Sequence, residues 1–376
     1  MPAIKTVSSI TEINPEQWNH LAGEQPFLRH EFFLALEQSG CVRPQTGWQP
    51  LFIMLTEQGT LRAALPLYLK YHSYGEYVFD WAWADSYART GARYYPKLVS
   101  AIPFTPVTGK RLLGESNDDQ AALVRYTLNL VQGSELSSIH YLFPEKQQAL
   151  QLQSQGLVLR RGTQFHWKNP GYASFADFLA SLTRDKRKKI QQERRRVRDE
   201  GITFQRLTGS EIQTEQWSFF FKCYVKTYRE HRSSPYLNLD FFHRLGEALG
   251  NHILLVIALR EGVPIAAALN LFDRKTLYGR YWGARESVPN LHFETCYYQA
   301  IDFCIEHKLA VFEAGAQGEH KLARGFLPTE TWSAHWFARE DFSRAVSDFL
   351  QREAQLTQEY LGELAGHSPF KPIQCL

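Results

Sequence analysis

The run HILLVIALREGVPIAAALNLFDRKTLYGRYWG, residues 252–283, decides the architecture. Within it His252–Leu259, Pro264–Phe272 and Leu277–Gly283 are apolar stretches of strand length, rich in β-branched and aromatic side chains. Arg260-Glu261-Gly262 and Asp273-Arg274-Lys275 separate them, short connections built from turn formers. Three strands joined this way form an antiparallel meander.

Helical spacing flanks the meander. Glu211–Glu230 and Asp240–Leu249 precede it; helix Phe293–His307, strand Ala310–Ala314, strand Thr331–Ala338 and helix Asp341–Tyr360 follow. Helices, a meander and then alternating elements make an α/β fold with a mixed sheet and helices on both faces.

The first half repeats the plan. Helices Pro15–Ala22 and Arg29–Gln38 lead into strands Pro50–Thr56, Leu61–Lys70 and Tyr77–Trp83, with turns at Glu57–Gln58–Gly59 and Ser73–Tyr74–Gly75. Then come strand Lys97–Phe104, helix Asp118–Val131, strand Ser138–Phe143, helix Pro144–Gln155 and strand Leu157–Trp167. Even the middle strands match, Ala63-Ala64-Leu65 against Ala266-Ala267-Ala268. A tandem duplication explains this, with domains at 1–170 and 171–376, each a sensible domain size.

Between the halves runs an expected helix, Ser174–Gly201. Phe175, Phe178, Leu179 and Leu182 give it one apolar stripe. Beyond Leu182 it becomes strongly basic, with Arg184, Lys186, Arg187, Lys188, Lys189, Arg194, Arg195, Arg196 and Arg198 against Asp185, Glu193, Asp199 and Glu200. Gly201 is placed to stop it.

Composition narrows the class. The 376 residues are 44% hydrophobic and 22% charged, an ordinary globular balance that excludes a disordered chain. Net charge is only +3, from 42 basic and 39 acidic residues, so attraction to phosphate must come from local clusters. Aromatic side chains reach 14%, enough to wall a cleft as well as fill cores. Cys41, Cys223, Cys296, Cys304 and Cys375 are scattered without a C-x-x-C spacing, which fits reduced thiols rather than disulfides or a metal site. No leader pattern opens the chain and no apolar run has the length of a membrane span, so a cytoplasmic protein is expected.

The repeated plan resembles the GNAT fold used twice, as in the Fem-type transferases that attach amino acids to peptidoglycan precursors. Ser181-Leu182-Thr183-Arg184-Asp185-Lys186-Arg187-Lys188-Lys189-Ile190 is similar to the basic helix that opens their second lobe. Phe312-Glu313-Ala314-Gly315-Ala316-Gln317-Gly318-Glu319-His320-Lys321-Leu322-Ala323-Arg324-Gly325-Phe326 is similar to the strand, glycine, lysine and aromatic signature of FemAB-like domains. Tyr94-Tyr95-Pro96-Lys97 and Pro103–Gly109 resemble a bacterial subgroup of N-acyltransferases. The resemblance implies an enzyme that moves an acyl or aminoacyl group onto an amine of a small molecule or peptide.

Such a transfer needs a proton acceptor, donors for the developing oxyanion and a held acyl donor. The resemblance puts Lys321 at the oxyanion. Glu313 or His320 is the candidate base, and Arg324 a substrate contact, all among glycines that permit close approach. GNAT enzymes grip acyl-CoA with a glycine turn before a helix. The nearest counterpart is Thr108-Gly109-Lys110-Arg111, where two cations accompany one glycine. Asp80, Trp83, Asp85 and Tyr95, with Tyr281 in the second half, suit an amine-binding pocket of carboxylates and aromatic faces. His335, on a strand with alternating faces, reads as a hydrogen-bonded core residue.

The favoured donor is acetyl-CoA or a longer acyl-CoA. The alternatives are aminoacyl-tRNA, with tRNA or a nucleotide-sugar phosphate on the 184–198 helix, and a non-catalytic RNA- or partner-binding protein on a transferase scaffold. A cysteine hydrolase ranks below these, because no cysteine sits in a nucleophile turn. No metal is expected.

Overall fold

The chain is described by a computed structural model covering residues 2–315 and 318–372. Ala316, Gln317 and Cys375 of the sequence reading lie outside the described residues. Two compact units emerge, Met1–Thr163 with Glu330–Glu359, and Gln164–Thr329 with Tyr360–Leu376. The division is not a single cut near 170, because a late strand and most of the last helix belong to the N-terminal unit.

The first unit begins with β1 (Ala3–Val7), α1 (Pro15–Ala22) and α2 (His30–Gln38). Asn14 caps α1 by accepting from Gln17 N–H, with Pro15 in the first turn where its missing N–H costs nothing. β2 (Trp48–Pro50), β3 (Phe52–Glu57), β4 (Thr60–Leu65) and β5 (Tyr68–Lys70) follow, then α3 (Trp81–Arg89), β6 (Lys97–Ser100), β7 (Leu113–Gly114), α4 (Asn117–Gln132), β8 (Ser138–Leu142) and α5 (Lys146–Ser154). β9 (Val158–Lys168) carries the chain into the second unit. There stand α6 (Phe175–Ser181), α7 (Arg184–Asp199), β10 (Ile202–Thr208), α8 (Thr214–Glu230), α9 (Leu239–Leu249), β11 (Ile253–Arg260), β12 (Val263–Phe272) and β13 (Thr276–Ala284). α10 (Leu291–Phe293) passes through a π-helical turn at Glu294–Tyr298 into α11 (Gln299–Glu306), followed by β14 (Val311–Glu313). β15 (Leu327–Phe337) and α12 (Glu340–Gly366) end the described chain.

In the first unit β1, β3, β4 and β7 pair antiparallel in that order. A second group runs β2, β5, β6, β8, β15, with β6 parallel to β8. Two expectations fail here. Leu61–Lys70 is not one strand: Pro66 lacks a ladder N–H, and the chain changes sheets there, β4 pairing with β3 and β5 with β2. Tyr77–Trp83 is not a strand either. Asp80 stands at the N-cap of α3, and Trp83 and Tyr87, four residues apart on one helical face, are the two residues α3 buries. They join Tyr94, Phe337, Phe342, Val346 and Leu350 in a core.

The second unit holds the ordered strands β10, β11, β12, β13, β14 and β9. Its meander, β11 to β13, follows the sequence expectation closely. The expected helix Ser174–Gly201 is broken at Leu182, which is extended (ψ 156) and fully buried. Leu182 bridges to Phe370, and Thr183 N–H donates to Pro369 O, so tertiary pairing overrides the helical run. Gly201, at φ 71, stops α7 as its sequence suggests.

α8 packs so tightly on β13 that a methyl group on Gly283 would lie 2.2 Å from the Cys223 carbonyl oxygen. Both sides of that clash are backbone. Gly283→Ala is therefore expected to cost about 1–3 kcal/mol, or more, by overpacking. Chemical denaturation measures it, and a loss under half that range would show that α8 shifts freely.

Candidate functional site

The site begins where two parallel strands part. β13 and β14 pair at Thr276↔Val311, Leu277↔Phe312 and Tyr278↔Glu313. β14 then ends, while β13 continues to Ala284 past an irregularity that sets Leu269 opposite Tyr281 and Asn270 opposite Gly279, leaving Arg280 as the extra residue. Such a bulge bends a strand and ends its pairing. A small cavity of about 130 Å³ opens there, touched by Gly279, Cys296, Tyr297, Phe312 and Gly315. A larger one of about 710 Å³, sharing Trp282, His292, Tyr297 and Ala314 with it, is also lined by Lys226, His231, His320 and Lys321.

Lys321 sits in a 3-10 turn, Glu319–Arg324. The turn starts after Gly318, whose φ of 117 and closeness to the His320 ring exclude a side chain. Lys321 is only 2% exposed. Its ammonium donates to Gly315 O at 2.9 Å, at the end of the parted strand. Burial pushes its pKa down to about 8, with Cys296 pulling weakly the other way. A cation held dry beside a cavity, with donors to spare, suits a developing oxyanion.

Imidazoles and rings line the same wall. His320 Nε2 lies 3.0 Å from Tyr297 OH. Burial, Arg324 and Lys321 hold His320 below its usual pKa, so it is neutral and basic at pH 7. His292 stands between Trp282 (5.1 Å) and Tyr297 (5.3 Å), and burial, then His320, push its pKa down to about 4. Sequence reading passed over His292, because a histidine between Leu291 and Phe293 looks like core; the π-helical turn that follows helps form the site.

Other candidates go elsewhere. Alternation along β14 turns Glu313 to the face opposite Phe312. There it feels Asp273 and Arg280, burial raises its pKa to about 8, and Oε2 has no hydrogen-bond partner. Arg324 turns inward: its guanidinium donates to Glu193 at 2.7 Å and to His320 O at 2.7 Å, and lies 3.3 Å over the Phe293 ring. It anchors the Lys321 turn to α7, and Tyr298 OH donates to the same Glu193 carboxylate. Tyr281 touches the small cavity with its ring edge-on to Tyr224 at 5.1 Å.

The first-unit candidates form a buried network. Lys97, Glu76 and Lys70 are at most 4% exposed, as is Asp80. Lys97 Nζ donates to Ser73 Oγ (2.9 Å), to Glu76 (2.8 Å) and to Asp80. Burial opposes ionisation of Asp80, but Lys97, Ser73 and Tyr94 outweigh it and keep the carboxyl below its usual pKa. Tyr94 OH donates to Asp80 at 2.6 Å and meets His140 Nε2 at 3.0 Å; His140 in turn meets His335 at 2.8 Å. Trp83 covers these imidazoles, and Tyr95 OH bonds Ser73 Oγ at 2.8 Å. Asp85 is exposed on the outer face of α3. His335 is thus the hydrogen-bonded core residue its strand position suggests.

The turn Thr108–Arg111 is tied down by its own arginine. Arg111 is fully buried and donates to Leu142 O (2.7 Å), Val107 O (2.8 Å), Gly109 O and Lys110 O (both 3.1 Å). Thr108 O accepts from Gln25 at 2.8 Å, and Gly109 N–H donates to Phe143 O. The guanidinium therefore holds the loop together instead of facing an anion; Lys110 remains at its edge. Among the described residues no cluster of His, Cys, Asp or Glu is arranged to hold a metal, and no helix is long and apolar enough to cross a membrane.

Two lobes of mixed sheet, with a parallel pair that parts beside a bulge, define a GNAT-fold protein of tandem layout. The chain belongs to the FemAB-like family, described as peptidoglycan biosynthesis/recognition, whose model matches residues 9–372. Among solved structures it is similar to FemX, with a TM-score of 0.56, 11% identity, 91% of this chain and 100% of that one covered. It is also similar to L-PGS from Bacillus licheniformis (TM-score 0.53, 12% identity, covering 87% and 96%). A conserved protein of unknown function from Bacteroides thetaiotaomicron matches at TM-score 0.53 and 11% identity, covering 89% and 99%. No curated protein sequence matches the chain significantly.

Proposed function

We propose that the protein is a Fem-type N-acyltransferase whose transfer centre is the Lys321 cavity. The observation that carries this reading is the buried Lys321 ammonium at the open end of the parted strands, beside neutral imidazoles. An acyl or aminoacyl carbonyl enters the gap with its oxygen toward Lys321 Nζ. The acceptor amine attacks the carbonyl carbon. His320, oriented by Tyr297, takes the amine proton and returns it to the leaving oxygen or sulfur as that bond breaks. Tyr281, Trp282 and His292 wall the acyl group.

A thermal-shift panel of acetyl-CoA, a long-chain acyl-CoA and aminoacyl-tRNA tests the donor. A ligand at a hundred times its Kd adds about 2.7 kcal/mol to stability. One member is expected to raise Tm by several degrees, which separates the CoA thioesters from the aminoacyl ester, and to acylate an amine acceptor in a Lys321-dependent way. No shift with any donor, or full transfer by a Lys321→Ala variant, would remove the reading.

A further inference from the structure

Helix α7 buries three side chains, Ile190, Glu193 and Val197, at the spacing i, i+3, i+7 of one helical face. Two are apolar. The middle one is a carboxylate, 6% exposed. A buried ion pair is often no more stabilising than apolar side chains of the same volume, so stability alone does not account for Glu193.

Its two oxygens go to two different segments. Oε1 accepts from Arg324 Nη2 at 2.7 Å, and Oε2 accepts from Tyr298 OH. Through Nη1 the same guanidinium donates to the His320 carbonyl oxygen at 2.7 Å. Arg324 belongs to the 3-10 turn that carries His320 and Lys321, and Tyr298 to the π-helical turn that carries Tyr297. One carboxylate therefore ties together the two segments whose side chains meet where His320 Nε2 lies 3.0 Å from Tyr297 OH. That contact needs outside support. His320 is exposed at the cavity edge, so packing alone does not fix its ring. A misplacement of about 1 Å can cost a reaction roughly a hundredfold in rate.

We propose that Glu193 is the positioning residue of the transfer centre, directing His320 through Arg324 and the partner of His320 through Tyr298. Glu193 itself touches neither substrate nor reacting atoms. Its consequence for catalysis rests on the transfer reading; its geometry does not. The groups facing His320 are Lys321 and Arg324 from its own turn, Tyr297, and His292 with its ring 6.2 Å away. Neighbouring Glu319 is held by Tyr360 OH at 2.6 Å. Glu193 is the carboxylate that balances Arg324.

Two variants test this in the full chain. E193Q keeps the shape and removes the charge; E193L/R324M removes both charges and keeps an apolar contact, which guards against a variant that unfolds for want of a partner. NMR of histidine-labelled protein reads the His320 pKa with no donor present, its signal identified by comparison with a His320→Gln variant. Loss of the anion alone leaves Arg324 unbalanced and should lower that pKa by about 0.3. Loss of both charges should raise it instead, because Arg324 holds it down. In transfer, kcat should fall at least about tenfold in both variants with KM within about twofold, the pattern of lost positioning rather than lost binding. E193D, which restores the carboxylate, should recover part of that loss. An unchanged His320 pKa in both variants, a kcat close to the parent's, or a KM that rises in step with the loss would overturn the proposal. If the parent transfers nothing from any donor, the transfer reading alone fails, and the opposite pKa shifts still decide whether Glu193 holds His320 through Arg324.

Discussion

Lys321→Met is expected to make the protein more stable and, on the proposed reading, inactive. In the folded chain burial holds the Lys321 ammonium at a pKa of about 8, against an ordinary value of 10.5. Each pKa unit corresponds to 1.36 kcal/mol, so keeping this lysine charged at pH 7 costs folding about 3 kcal/mol. Methionine has similar length, no charge and fits apolar gaps. Removing the bond to Gly315 O gives back about 1 kcal/mol. The net gain is on the order of 2 kcal/mol, or roughly 4–8 °C for a unit of this size.

The sign of the pH dependence follows. Between pH 8 and 10.5 the unfolded lysine holds more proton than the folded one, so wild-type stability rises with pH there. The advantage of methionine should therefore be full below pH 8 and vanish toward pH 10.5. Transfer should fall about 10²–10³-fold, as when a single oxyanion donor is lost. Wild-type transfer should decline as pH rises through about 8, where the ammonium gives up its proton. Melting curves from pH 6 to 10.5 suffice for the stability arm. A variant less stable than wild type at pH 7 would show that the lysine is held for packing and not kept charged at a cost.

Much of the fold was legible because hydrophobic period and turn chemistry agreed. In the meander 252–283 each apolar run ends on a turn former, and the strands fall where expected. Tyr77–Trp83 misled because its aromatics mimic a strand, while the spacing of Trp83 and Tyr87 that decides for a helix is seen only once their common core is known. The site was partly legible. Glycines and charges marked the Lys321 turn, but such a segment reads as solvated, and its burial depends on distant partners. Arg324 faces inward because Glu193, 131 positions away, receives it. Arg111 looked like an anion ligand, yet three carbonyls of its own loop and the distant Leu142 O claim it. No local pattern encodes such pairings.

Lys97→Met should do the opposite of Lys321→Met, because this lysine is surrounded by carboxylates. Burial opposes its charge, but Glu76 and Asp80 outweigh that and raise its pKa. Removing one partner of a buried ion group costs about 3–5 kcal/mol, since the remaining charges keep their desolvation cost. Lys70 is a poor substitute: its nitrogen is 4.0 Å from Glu76, lies over the Trp48 ring, and burial lowers its pKa to about 7. The variant should melt roughly 10 °C lower at pH 7. Glu76, which burial already raises to about 7, will rise further without Lys97 and take a proton. A carboxyl whose folded pKa exceeds its unfolded one stabilises below the unfolded value and loses that contribution as pH rises through the folded one. Stability of the variant should thus recover toward pH 5 and fall between pH 5 and 8. Adding Asp80→Asn should restore part of the loss at pH 7, a coupling the double-mutant cycle reads directly. If Lys97→Met costs under 1 kcal/mol, or its loss is flat across that pH range, the cluster is not the closed charge network its geometry describes.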